Sequence, residues 1–579
     1  MKKSWKRFLP MLLAGISGFV FSVCDSGGTS GQCTGGTDCA TPSCTDKVQN
    51  GGETDIDCGG SCSTKCGAQA KCQNGTDCQS GLVCPAGVCI APTCTDGILD
   101  GSETDKDCGG ACMKCAPNAA CKVAADCTSA NCASGVCAAP SCTDGIKNGD
   151  ESDVDCGGSC NACAVGKTCV ADKDCGIFTC GTPVPEGQTP VCGLGNGADG
   201  DLAIPSGMTR TINTAATSGT GTMGGTTMTV RDGSPFLVDQ VVLIHQTQGT
   251  GAGQHEMNRI ATVSGTQLTF KNPLKYDYVT GAQVVAVPQY NSVNVTAGGF
   301  LTAPAWDGQK GGILVFLSRG DVAAGGTITM ASKGFRGAGV TGVCFPSAPG
   351  CTLNHGRTGE SSLGASAFST LNGQAQGMNN GGGGGGGSRG QDCAAGGGGS
   401  YGTAGTNGVD GTIGACIVVG GQHRGGLAGT AVGGQDLFQS IFLGSAGGEG
   451  GPDEDGAYPG PGGNGGGIVM WNSKSVTLDG TASITVSGAN GGNGSNSGPC
   501  GGGGRGMGNG GGGSGGAVRI QTADSATLNT GKIVASAGAG GNAGSCGATY
   551  PGGNGGLGRI HIRALGTLSG TTTPPAFTN

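Results

Sequence analysis

The stretch GGIVMWNSKSVTLDGTASITVSGANG, residues 466–491, runs from an apolar segment through a polar turn to a second short β-prone segment, with glycines at both ends. The same layout recurs in GGILVFLSRGDVAAGGTITMASKG from Gly311 and in GGAVRIQTADSATLNTGKIVASAGAG from Gly515, and a partial copy, GGLGRIHIRALGTLSG, starts at Gly555. A unit of roughly 25 residues with two short strands cannot bury its apolar face alone, so copies must stack on one another. The pattern predicts a glycine-rich β-solenoid over residues 301–579.

Glycine tracts separate the units, the extreme case being NNGGGGGGGSRGQDC at 379–393. A flexible linker has such a composition too, but here the tracts alternate with strands over most of the region. They are expected to form long corners or loops on one side of the stack, where glycine permits close backbone approach. In composition they resemble polyglycine adhesin tips and glycine-rich antifreeze proteins, which implies extended left-handed helices packed side by side. Cys344 and Cys351, Cys393 and Cys416, and Cys500 and Cys546 bracket these loops as disulfides closing them would.

Before residue 301 the texture changes. Residues 193–300, after the glycine-rich boundary GLGNGADGDLAIPSG, carry Val-, Ile- and Thr-rich runs such as FLVDQVVLIHQ, and Ser264-Gly265 divides two β-prone runs as a hairpin turn does. A small antiparallel β-domain is predicted there.

Upstream lie three copies of a cysteine-rich repeat over 44–192, starting CTDKVQNGGETDIDCGGSC at Cys44, CTDGILDGSETDKDCGGAC at Cys94 and CTDGIKNGDESDVDCGGSC at Cys142. Each has eight cysteines; in the third they are Cys142, Cys156, Cys160, Cys163, Cys169, Cys175, Cys180 and Cys192. Eight cysteines in about fifty residues without apolar periodicity form a disulfide framework of four bridges per repeat, with 105 connectivities open. Zinc is the competing reading, suggested by Cys112-x-x-Cys115 and Cys160-x-x-Cys163. The consensus resembles the cysteine-rich modules strung along many secreted and surface proteins of Gram-negative bacteria, with copy one departing at Lys47. That resemblance implies an extracellular spacer or interaction module and no catalysis.

Acidic residues recur as strictly as the cysteines: Glu53, Asp55 and Asp57; Glu103, Asp105 and Asp107; Glu151, Asp153 and Asp155. Carboxylates at alternate loop positions can converge on one hard cation, so these nine are candidate Ca2+ ligands, Ca2+ being the one cofactor to consider. The competing reading has them bonding nearby backbone N–H groups and fixing turns.

The chain begins MKKSWKRFLPMLLAGISGFVFSVC, a basic segment followed by a short apolar one, which reads as a secretory signal over 1–24. Its end, FSVC, resembles the lipobox of bacterial lipoproteins, with Val23 and Phe21 departing from the usual residues, which makes Cys24 the candidate lipid acceptor. Parity agrees: without Cys24, the 33 cysteines leave an even number that can pair completely. Residues 25–43 form a tether with a partial repeat, Cys33 and Cys39.

With 128 glycines, 33 cysteines and 4% aromatic residues, stability must come from cross-links and backbone pairing more than from a thick apolar core. A net charge of −8 without a basic cluster beyond the start argues against nucleic acid as a partner. Catalytic patterns match such a chain by accident. Gly512-Gly513-Ser514-Gly515-Gly516 fits a nucleophile elbow but lacks the strand-turn-helix context. The five histidines form no metal-spaced pair, and His561 reads as an exposed strand residue.

These observations favour a non-enzymatic protein. The fold class expected is mainly β: disulfide-rich small repeats, then a small β-domain and a glycine-rich solenoid-like head. The function expected is that of an exported lipoprotein at the outer membrane or cell surface, or in the extracellular space. It would hold the membrane through its lipid and bind extracellular polysaccharide, matrix or a surface protein in an adhesive role. The alternatives are a non-adhesive polysaccharide-binding module, or a polysaccharide-degrading enzyme using Asp307, Glu360 or Asp453 with Arg559.

Overall fold

Parallel strand pairing, turn upon turn, organises the larger part of the molecule. The structure, a computed structural model, describes residues 42–176, 178–181, 189–339, 356–364, 383–384, 394–410, 425–451, 458–495, 508–528, 533–542, 544–545 and 548–578. Among these residues β-strands dominate, and helix is confined to 3-10 turns of three or four residues. Two compact units are present, one ending at Ala138 and one running from Ala139.

In the second unit, three parallel sheets each gain one strand per turn of chain, as in a solenoid. The first sheet joins Gln289–Tyr290, Ile313–Ser318, Ile468–Ser473, Ala517–Thr522 and Arg559–Ala564. The second starts with Asp201–Ile204 and Ser292–Val295, and the third with Thr209–Thr211 and Phe300–Thr302. Pairing therefore runs across residue 300, where composition suggests a division. Side chains of one face of each sheet meet inside the coil. Phe316 and Trp471, partners in register, stack at 5.3 Å between ring centres, and Ile520 and Ile562 continue the ladder.

Every long excursion leaves the coil at one corner, between the third sheet and the first. One excursion is a closed antiparallel barrel of six strands, Ala216–Gly221 to Ala282–Ala286, with its own apolar core around Met228, Ile244, Ile260 and Val284. Its strands His255–Ser264 and Gln267–Phe270 form the hairpin expected at Ser264-Gly265. The other excursions are the glycine-rich tracts.

All 24 cysteines of the three repeats are bridged, which settles the disulfide reading over zinc. The order within each repeat is first to third, second to fourth, fifth to seventh and sixth to eighth. The third has Cys142–Cys160, Cys156–Cys163, Cys169–Cys180 and Cys175–Cys192. Their buried clusters consist of the cysteines themselves. Such a density of disulfides suggests an exported or extracellular protein. No helix among the described residues is long and apolar enough to cross a membrane.

The third repeat belongs to the second unit because it carries docking groups that the others lack. Arg259 of the barrel donates from Nη2 to the Cys180 carbonyl at 3.0 Å and lies 3.7 Å from the Asp172 carboxylate. Asn472 of the first sheet donates to the Gly193 carbonyl, and Phe178 lies against the Arg519 guanidinium. Where the third repeat has Asp172 and Phe178, the first has Gly75 and Leu82 and the second Ala124 and Ala130, counted from the flanking cysteines.

Candidate binding surface

Tract 508–516 is wholly buried, and its hydrogen bonds show how the glycine-rich excursions fit together. The amides of Gly510, Gly513 and Gly516 donate to the carbonyls of Gly492, Ala489 and Val486; those of Gly511 and Ser514 donate to Gly448 and Ser445; those of Gly512 and Gly515 donate to Gly553 and Gly556. Donors thus rotate among three neighbours with a period of three residues. The carbonyls of Gly508, Gly511 and Ser514 accept from Gly460, Gly463 and Gly466; those of Asn509 and Gly512 accept from Gly396 and Gly399; those of Gly510 and Gly513 accept from Gly541 and Gly538. These bonds span 2.7–3.0 Å.

Three residues per turn with no internal bonds is the geometry of a polyproline-II-type helix. Six such tracts surround the central one, and bonds between adjacent tracts close the ring. Glycine is required here for space: a Cβ on Gly510, Gly511 or Gly513 would lie 1.9–2.0 Å from a neighbouring carbonyl oxygen. Gly383 and Gly384 are the described part of the heptaglycine, and Gly384 joins this lattice by donating to Ala446. The cysteines 344, 351, 393, 416, 500 and 546 lie outside the described residues, as do Cys24, Cys33, Cys39 and Asp453.

Asparagines edge the lattice. The exposed residues Asn464, Asn490, Asn493 and Asn554 accept, on Oδ1, the backbone N–H of Gly337, Ala539, Asn542 and Gly540, groups with no further tract beside them. Thr403 and Thr406 do the same for Leu557 and Asn554. This caps the edge against adding more chains, as charges and prolines cap sheet edges. The outward groups recur at three-residue intervals, roughly 9 Å apart along a tract.

A cavity of about 470 Å3 opens beside this edge, lined by Thr403, Gln435, Arg559, Phe577 and Thr578 among others. Arg559 lies over the ring of the buried Tyr401 at 5.5 Å. Asp307 and Glu360 are held elsewhere. Glu360 is buried and takes Arg336 Nε at 3.1 Å, while exposed Asp307 accepts the amides of Gln309 and Lys310. Ser514 of the elbow-like pentapeptide is sealed in the lattice, bonded to Ser445.

The repeat carboxylates are each turned to a different backbone amide. In copy one Asp57 accepts from Lys47, Asp55 from Ile56 and Lys71, and Glu53 from Asn50 and Asp57. Copy two places Asp107 on Gly97, Asp105 on Ala120 and Glu103 on Asp100; copy three places Asp155 on Gly145, Asp153 on Thr168 and Glu151 on Asn148. Oxygens spent on separate amides do not converge into a six- to eight-oxygen shell, so the residues present fit the turn-fixing role better than Ca2+. Glu53 does lie near Cys44 and Cys62, and Glu103 near Cys94 and Cys112, but these cysteines are already in disulfides.

The amides of Lys71 and Ala120 hold the carboxyls of Asp55 and Asp105 below the ordinary range. Folded values below the unfolded value of about 3.9 mean that these bonds contribute fully above that pH and are lost as pH falls through the folded values. Acid titration is expected to move the amide proton resonances of Lys71 and Ala120 only below about pH 4; movement near neutrality would contradict the assignment.

Several buried groups were not legible in the sequence. His561, expected to be exposed, is fully buried because residues 436–438 and Phe577 cover it; its Nδ1 accepts the Leu437 N–H, and the Phe438 and Phe577 rings flank it at 4.7 and 4.8 Å. Arg519, also buried, donates to Asn472 at 2.9 Å and sits between Phe178 and Phe438, and burial pushes its guanidinium down to about 9. Burial likewise pushes His245 and His255 down to about 4 and about 3, so both are neutral. Arg519 alternates with Val518 and Ile520, which face into the coil, so it lies on the outer face of its strand, where the Phe178 and Phe438 rings cover it. No family model matches the chain, and no curated protein matches it.

Proposed function

We propose that the protein is an exported, surface-displayed binding protein, in which the cysteine modules serve as an extracellular spacer and the glycine lattice as a rigid face that holds polysaccharide. The lipid anchor on Cys24 and an adhesive role at the cell surface belong to this reading. One observation carries it: the lattice edge sets Asn490 and Asn493, and Thr403 and Thr406, three residues apart on tracts that are hydrogen-bonded to their neighbours. A polymer of sugars repeats its hydroxyls in the same way, and a pre-ordered face loses little conformational entropy on binding it. Asn490, Asn493 and Asn554 turn their oxygens inward as caps, which leaves each Nδ2 to donate outward.

The test is binding of the intact exported protein to a panel of polysaccharides, beside the variants Asn493→Asp and Asn554→Asp. Aspartate keeps the capping oxygen and removes the donor, so about a tenfold loss of affinity with unchanged melting is expected for one or two lost bonds. No retention on any polysaccharide, or retention indifferent to both variants, would sink the reading. Release of shortened sugars during the same assay would support the degradative alternative instead.

A further inference from the structure

We infer that the cavity at Arg559 is a subsite for a carboxylated sugar, with the guanidinium taking the carboxylate and the Phe577 ring forming a wall for the sugar face; this rests on the polysaccharide reading and adds the charge of the sugar. The cavity, about 470 Å3, is large enough for a sugar unit with its neighbours. Arg559 is half-buried and has no acidic partner among the described residues. Its back is fixed by the Tyr401 ring, whose hydroxyl accepts the Phe442 N–H at 3.4 Å. A guanidinium supported from behind presents its planar fork forward, the shape that pairs with a carboxylate through two parallel bonds.

The local charge agrees. The strand Arg559–Ala564, RIHIRA, alternates Arg559, His561 and Arg563 along one face, and Arg519 lies beside His561 in register. Asp436 lies 3.5 Å from His561 in this group. Of these arginines it is Arg559 that lines the cavity, while Arg519 is buried between Phe178 and Phe438 and Arg563 lies over the Phe438 ring. Phe577 is held in position by main-chain bonds on both sides, its N–H donating to Ile560 and its carbonyl accepting from Ile562. Apolar ring faces of this kind bind the C–H face of a sugar, while Gln435, Thr403 and Thr578 supply polar groups at the rim.

The experiment compares binding of the full exported protein to a polyuronate and to the same polymer after carboxyl reduction. The expected result is at least about tenfold tighter binding of the charged polymer, weakening with salt. Arg559→Gln should erase that preference with the thermal midpoint in place, and Arg559→Lys should keep part of it. Should Arg559→Gln fail to fold, Gln435→Ala and Thr578→Ala, at the rim, are expected to weaken both polymers alike. Equal binding of the two polymers by the unaltered protein, or an undiminished preference in Arg559→Gln or Arg559→Lys, overturns the subsite and leaves the broader reading standing. Binding of neither polymer overturns both.

Discussion

Replacing Gly511 by alanine is expected to destabilise the unit from Ala139 onward by about 3 kcal/mol or more, from roughly 1–3 kcal/mol for overpacking and about 1 kcal/mol for each backbone bond displaced. The new Cβ would lie 1.9 Å from the Gly397 carbonyl oxygen, which is itself fixed by accepting the Gly448 N–H. Relief requires the two tracts to separate, and with them the bonds from Gly396 to Asn509 and from Gly399 to Gly512. Gly480 is the matched control: it sits in an exposed turn with nothing within 4 Å of an added Cβ. Urea melts of the two variants should differ sharply in midpoint. Equal midpoints would mean that the tracts are not packed as described.

Reduction of the disulfides is expected to unfold residues 42–138 completely while the coil and barrel persist. The first two repeats bury mainly cysteine, and their bridges close loops of 7–18 residues. On the loop-entropy account each bridge of this size contributes roughly 2–3 kcal/mol, so four per repeat exceed the few kcal/mol by which small domains are stable. The coil instead rests on an apolar interior that includes Phe316, Trp471 and Ile520. Limited proteolysis with and without reductant reads both outcomes at once. Survival of the 42–138 segment under reduction would show a core other than the cysteines.

How far the sequence discloses this architecture varies by element. The strands Ile468–Ser473 and Ala517–Thr522 are legible because their apolar runs sit between glycines and repeat at a common spacing. Asp201–Ile204 and Thr209–Thr211 are not, since each is short and its partner, at Ser292–Val295 or Phe300–Thr302, lies beyond the inserted barrel. The disulfide order is one of 105 that cysteine spacing allows, and only the fold of each loop selects it. Glycine content predicts close approach, but which tract lies beside 508–516 depends on three-residue phase across segments up to more than a hundred positions apart. At the site, the sequence singles out Arg559 only as a partner for Asp307, Glu360 or Asp453 in a degrading enzyme. The Tyr401 ring behind it and the Phe577 wall come from segments that composition does not connect to it.

The three-residue phase of the tracts governs how this protein can change in length. An insertion of three residues in a tract advances it by one turn and returns every later glycine to the same direction, so the facing carbonyls still meet bare backbone. One or two inserted residues rotate the rest of the tract by a third or two thirds of a turn, and the asparagines and threonines of the rim are carried into positions with no room for a side chain. Because each excursion leaves the coil at the same corner, such changes do not disturb strand register. Length variation in the lattice is therefore confined to steps of three residues.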